Sequence, residues 1–435
     1  MRREIDKYLL EWKNEQDHKV LVVRGARQIG KTYAIRELGK TFKSFLEINF
    51  EKEKSIHRFF TGDINPLTIC NNLSAYFSHN IEPGKTLLFF DEIQACPAAL
   101  LTLRYFYEEI PSLHVIAAGS LLEFTLSEIP SQAVGRLSYL FMYPMNFKEF
   151  LLALNQDTLT PIINNASIND QINPVFHQKL INYYKIHQII GGMPAVVKEY
   201  TKNQNLLSCQ KIIDELLITI KEDFAKYKKQ APITRLNEVF SAICYQAGTK
   251  FKYSNVVSRS SLPMLKESLE LLIKAGLAYK VHHSSARGIP LGAQVDYKKF
   301  KVICFDCGIQ QRMMGLEFKD YLVAENFNQI NKGNIAEIYV GLELIANSSP
   351  NNPCPLYYWH RESNNSNAEV DYVIQKSEKI TPIEVKAGTK GQMQSMQIFL
   401  KERNLEKGIR ISLENFSTID NIDIIPLYAA GRILN

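Results

Sequence analysis

Val22-Val23-Arg24-Gly25-Ala26-Arg27-Gln28-Ile29-Gly30-Lys31-Thr32 joins an apolar run beginning at Val20 to a glycine-bounded turn, and then to a helical pattern from Tyr33. The order is strand, loop, helix, and in that order G-x-x-x-x-G-K-T predicts a phosphate-binding P-loop. Each residue type has a physical role there. Gly25 and Gly30 permit backbone angles that a Cβ disfavours, so the N–H groups from Gly25 through Ala26, Arg27, Gln28 and Ile29 can turn inward around a phosphate. The helix that follows adds its positive dipole end. Lys31 is expected to bridge the β- and γ-phosphates of ATP, and Thr32 to offer its hydroxyl to Mg²⁺.

Downstream, Phe45 to Phe50 alternates as a second strand, and a helix is expected around Leu67 to Phe77. Thr86-Leu87-Leu88-Phe89-Phe90-Asp91-Glu92 then reads as a strand buried on both faces of a parallel sheet and ending in two acids. This is a Walker B pattern. Asp91 is expected to hold Mg²⁺ through its water shell, and Glu92 to orient the attacking water. A further apolar strand, His114 to Ala118, ends near Ser120. Ser120 is a candidate γ-phosphate sensor, and it equally suits a helix N-cap. Gly135-Arg136 leads into a fifth strand, Leu137 to Tyr143. Arg136 is a candidate arginine finger, acting in cis or from a neighbouring subunit, with a surface ion pair as the alternative.

The chain has 435 residues, beyond one ordinary core and suggestive of about three domains. Its 46% hydrophobic and 22% charged content is that of a globular protein. A formal charge of +6 permits a nucleic-acid partner without demanding one. The first residues, Met1 to Gln16, read as an amphipathic helix without the apolar core of a signal peptide, and no run approaches the ~18 apolar residues of a membrane span. A cytoplasmic protein without a membrane partner is expected. Seven scattered cysteines fit a reducing compartment. The one close pair, Cys304 and Cys307, reads as two small buried residues, with zinc or redox use as the alternative.

GARQIGKT, FFDEIQ, AAGSLLEF and VGRLSYLFMYPMNFKEFL together resemble the AAA-type P-loop ATPases found widely in bacteria and archaea. The resemblance implies a nucleotide domain followed by a helical segment, a winged helix and a restriction-endonuclease-like carboxy-terminal domain. It also implies ATP and ADP as ligands, and a helical lid containing Gly191-Gly192-Met193-Pro194.

The residues support a reading of each part. Phe176 to Ile190 is a helical pattern that Gly191-Gly192 breaks. From Ile233, three helical segments and a strand at Leu277 to His282 are the ingredients of a winged helix, with Lys250, Lys252, Arg259, Lys266 and Lys274 as basic positions. DNA contact is one reading of them, packing the other. Farther on, a helix over 333–346 carries Glu337, a strand carries Asp371, and its hairpin partner carries Glu384 and Lys386 on one face. An acid on a helix, then Asp and Glu-x-Lys on a hairpin, is the PD-(D/E)xK nuclease pattern. Glu337, Asp371 and Glu384 suit one or two Mg²⁺ ions, and Lys386 suits positioning of a water. The expected architecture is α/β: a five-stranded parallel P-loop ATPase core (1–155) with a helical lid (156–232), a winged-helix domain (233–320) and a restriction-endonuclease-like α/β domain (321–435). Two functions follow. One is an ATPase coupled to a nucleic-acid-binding, Mg²⁺-dependent nuclease domain; the other is a nucleotide-controlled switch whose nuclease-like domain only binds a partner. Assembly into a homo-oligomer is compatible with either.

Overall fold

A computed structural model describes residues 1–62, 65–119, 135–227, 230–319, 334–362, 367–389 and 391–434. The chain divides into two compact units, Met1–Tyr143 with Ser349–Pro353, and Pro144–Ser348 with Cys354–Asn435.

In the first unit, strands β1 (Val20–Arg24), β2 (Ser44–Asn49), β3 (Thr86–Asp91), β4 (His114–Ala118) and β5 (Leu137–Phe141) form a parallel sheet in the order β2-β3-β4-β1-β5. All six residues of β3 and all five of β4 are buried, which is why these strands read as unbroken apolar runs. One face packs Val20, Val22, Ile48, Leu88, Phe90 and Phe106 into a continuous core. β4 lies between β1 and β3, so the carboxyl ends of the P-loop and Walker B strands flank it. The helix Lys31–Gly39 leaves the loop from Gly30, whose φ of 97° is the left-handed conformation that favours glycine.

At the opposite end of the sheet His18 and His114 stack at 3.7 Å, edge-on to Trp12. His114 donates from Nε2 to Lys13 O at 2.9 Å, and burial pushes its pKa down to about 4 from 6.5. The folded chain therefore keeps this ring neutral while the unfolded chain takes up a proton below pH 6.5. Stability from this group is present above that pH and is lost as pH falls toward 4, at about 1.4 kcal/mol per unit. Urea titrations over that window should show the parent losing up to about 3 kcal/mol more than His114→Gln. Parallel profiles would sink this reading.

The second unit is built on an eight-stranded sheet, and here the structure departs from the sequence reading. β6 (Ala278–Ser284), covering the strand expected at Leu277 to His282 in a winged helix, forms a hairpin with β7 (Val295–Cys304) and pairs in parallel with β8 (Leu356–His360). The sheet continues through β9 (Glu369–Lys376), β10 (Lys379–Val385) and β11 (Gly408–Ser412) to β13 (Ile422–Pro426) and its edge strand β12 (Ser417–Ile419). β6 can join because Val281 and His283 offer their backbone to Leu356 and Tyr358, far apart in sequence but adjacent in register. The helices Ile233–Tyr245 and Leu262–Lys274 pack on one another beside this hairpin. Between them the expected short helix is one 3₁₀ turn, Tyr253–Asn255.

The Gly191-Gly192-Met193-Pro194 element separates the helices Pro174–Ile190 and Pro194–Asn203. It is held by Asp306, whose carboxylate accepts from Gly192 N at 2.7 Å and caps the helix Cys307–Met313 by accepting from Ile309 N at 2.9 Å. Gly191 sits at φ 75°, and a Cβ there would lie 2.2 Å from Asp306 Oδ1. Cys304 and Cys307 are both buried thiols. Among the described residues no helix is long and apolar enough to cross a membrane.

Candidate functional site

The P-loop places its residues at the carboxyl end of β1. Gly25 has φ 137°, and a Cβ on it would lie 2.1 Å from Met142 O, so the turn passes β5's exit with no space for a side chain. Gln28 is also left-handed, at φ 64°. The buried Lys31 ammonium donates to Gly25 O and Ala26 O, each at 2.7 Å, which holds its charge inside the loop. Burial lowers its pKa to about 8, while Glu92 and Asp91 act in the opposite direction. Arg3 braces the loop from outside. It donates to Ile29 O and to Tyr143 O, both at 2.8 Å.

Thr32 and Asp91 meet at the head of the site, the hydroxyl donating to Asp91 Oδ1 at 3.4 Å. A hydroxyl and a carboxylate side by side are hard oxygen donors, so this pair fits Mg²⁺. Asp91 Oδ2 accepts from Asn49 Nδ2 at 3.2 Å, and Asn49 is its register partner at the end of β2. Burial, then the charge of Glu92, raises the Asp91 pKa. Glu92 follows in the left-handed region at φ 50°, where its carboxylate accepts from Gln94 Nε2 at 2.5 Å. Gln94 in turn lies against Gly119, where a Cβ would fall 1.8 Å from Gln94 Oε1. Arg136 pairs with Glu108 at 3.0 Å. Ser120 lies outside the described residues.

Asn49, Gln94 and Arg3 are additions to the site that sequence reasoning missed. Gln94 lies within the quoted FFDEIQ, and Asn49 closes a strand of the expected sheet, so both positions were visible without their roles.

The carboxy-terminal residues expected as one constellation each have a partner of their own, and one of those partners is unexpected. Asp371 Oδ2 on β9 accepts from Val385 N at 2.7 Å, and Lys386 Nζ donates to Glu384 Oε1 at 2.8 Å. Glu337, on the helix Asn334–Ala346, is not paired with these acids but with Lys301 of β7. The Lys301 side chain is fully buried, and its ammonium lies 2.7 Å from Glu337 Oε1 and 2.6 Å from Glu369 Oε1, over the Tyr358 ring. Burial alone would lower the Lys301 pKa, but Glu337, Glu369 and Asp371 outweigh it and raise it. Burial raises the pKa of Glu337 and of Glu384, while Lys301 and Lys386, their respective partners, pull the other way. Among the described residues no three His, Cys, Asp or Glu side chains come together as a metal-holding group. The set expected as ligands, Glu337, Asp371 and Glu384, is instead divided between two lysines and a backbone N–H.

Residues 17–151 match the family model of an AAA domain, AAA_14, and form an AAA-type P-loop ATPase-like domain. Residues 181–320 match a domain of unknown function, DUF8612, and residues 332–430 another, DUF4143. The uncharacterized protein MJ1544 of Methanocaldococcus jannaschii is 27% identical over 181 residues, 41% of this chain and 36% of that protein. The match thus spans about a third of that relative's length. Among solved structures, the Walker-type ATPase PABY2304 of Pyrococcus abyssi is similar at 15% identity and a TM-score of 0.44, covering 72% of this chain and 95% of that one. The ORC1 protein of Aeropyrum pernix in complex with DNA is similar at 11% identity and a TM-score of 0.30, covering 74% of this chain and 92% of that one.

Proposed function

We propose that the chain hydrolyses ATP at the P-loop and uses the nucleotide state to control binding of a partner by its second unit. The observation that carries the first part is the convergence of the Lys31 ammonium, the Thr32–Asp91 pair and Glu92 at the carboxyl ends of two strands flanking β4. Lys31 would leave the carbonyls of Gly25 and Ala26 for the β- and γ-phosphate oxygens, its positive charge opposing the charge that develops there. Thr32 and Asp91 would hold Mg²⁺, which when bound neutralises phosphate charge. Glu92 would accept a proton from the attacking water, held in place by Gln94. Ser120 is the candidate γ-phosphate sensor, and Arg136 the candidate arginine finger, in cis or from a neighbouring subunit.

Nucleic acid, DNA first, is the partner class we propose for the second unit. The exposed Lys252, Arg259, Lys266 and Lys274 around the helix Leu262–Lys274 support that reading. The test is phosphate release from ATP in Mg²⁺ by the parent and by Asp91→Asn, alongside duplex binding at two salt concentrations. We expect turnover in the parent, its loss in Asp91→Asn, and DNA affinity that depends on nucleotide and falls with salt. Turnover that survives Asp91→Asn would sink the ATPase site; DNA affinity indifferent to nucleotide would sink the switch.

A further inference from the structure

The carboxy-terminal acids are arranged around a cation that the chain itself supplies. Lys301 arrives from β7, the edge strand at the opposite end of the sheet from β12, and its side chain has no exposure to solvent. It reaches Glu337 on a helix and Glu369 on β9, and it lies close enough to Asp371, two residues after Glu369, to feel that charge as well. Glu384, across the hairpin from Asp371, spends one oxygen on Lys386, and its other oxygen is buried without a hydrogen-bond partner. Lys301 already neutralises Glu337, Val385 N holds Asp371 Oδ2 and Lys386 holds Glu384 Oε1, so each acid of the pattern has an oxygen engaged by the chain itself rather than open to a hard divalent ion. An ammonium already seated on two of the carboxylates also opposes a second cation by direct repulsion. The donor set does not fit a divalent ion.

We propose that Lys301 is a built-in counter-cation that takes the place of a divalent metal in this acid cluster, so that the second unit does not cleave phosphodiester bonds and the cluster binds no Mg²⁺ or Mn²⁺. The hairpin β6–β7 thus does more than extend the sheet. It delivers the plug, because Lys301 belongs to the strand that β6 joins to β8. The inference rests on the nuclease-like reading of Glu337, Asp371, Glu384 and Lys386, and it is independent of the ATPase reading, since no P-loop residue takes part.

The test is Mn²⁺ titration calorimetry on the nucleotide-free full chain, run on the parent, Glu384→Gln and Lys301→Met, with oligonucleotide cleavage in Mn²⁺ measured on the same samples. The parent and Glu384→Gln should give superimposable isotherms, with no cleavage attributable to Asp371. Lys301→Met should gain a Mn²⁺ site at least about tenfold tighter than anything in the parent, lost again when Glu384→Gln is added. Because Lys301→Met strands buried carboxylates and can fail to fold, Lys301→Met with Glu369→Gln is made in parallel, removing one acid together with the lysine. A parent Mn²⁺ site abolished by Glu384→Gln would overturn the proposal. So would parent cleavage abolished by Asp371→Ala, or a folded lysine-free variant that binds Mn²⁺ no better than the parent.

Discussion

Glu92→Gln should lower ATP turnover by about 10²–10⁴-fold while leaving ATP affinity nearly unchanged. The substitution keeps the shape of the side chain and removes its capacity to accept a proton. The site is well suited to isolate that loss. Glu92 is held at φ 50° by the turn after β3, and its partner Gln94 is an amide that can rotate to meet an amide as it meets a carboxylate. Lys31, Thr32 and Asp91, which are proposed to bind the nucleotide and its metal, keep their positions. Single-turnover phosphate release and equilibrium titration with a fluorescent ATP analogue separate the two quantities. If affinity falls with turnover, Glu92 holds the loop together and is not the base; if turnover is unchanged, the base lies elsewhere.

Gly25→Ala should be the most damaging single methyl group in the first unit. At φ 137° an L-residue is strained, and the added Cβ would lie 2.1 Å from the carbonyl oxygen of Met142 and 2.6 Å from Ile29 Cδ1. The carbonyl belongs to backbone just past β5 and cannot turn aside, because Met142 N is itself bonded to Arg24 O at 2.9 Å. The loop must therefore move, taking with it the Gly25 and Ala26 carbonyls that hold Lys31. We expect a loss of more than about 2 kcal/mol in stability together with loss of ATP binding. Thermal unfolding and nucleotide titration on one preparation check both, and a variant with the parent's midpoint and affinity would refute the strain argument.

The two sites differ in how far they could be read from the chain. The P-loop and the Walker B acids were legible because each is a run of adjacent residues whose types have one common physical use, and whose strand context is equally local. Asn49 was not legible as a partner of Asp91, because nothing near Asn49 records that β2 and β3 align those two positions. Arg3 acts on Ile29 and Tyr143 across separations that no period covers. In the second unit the hairpin acids were legible by alternation, as Glu384 and Lys386 share a face and bond directly. Lys301 was hidden because it falls within the 233–320 segment expected as a separate module, and nothing in its own neighbourhood records the strand pairing that brings it to Glu337 and Glu369. A buried lysine in the apolar company of Phe300, Val302 and Ile303 is the signal that could have raised the question. Asp306 was missed for a related reason, as the break at Gly191-Gly192 is visible but the carboxylate that fastens it comes from more than a hundred residues later.

The boundary between the two matched domains of unknown function falls inside one hydrogen-bonded sheet, since β6 and β7 lie in residues 181–320 and β8 to β13 in residues 332–430. A recombination event that carried either segment away alone would leave Val281 to His283, or Leu356 to Tyr358, as a raw strand edge open to adhesion by any passing chain. Heredity should therefore transmit these two segments as one cargo, and a hybrid joining them from distant lineages would have to match the register of that single seam.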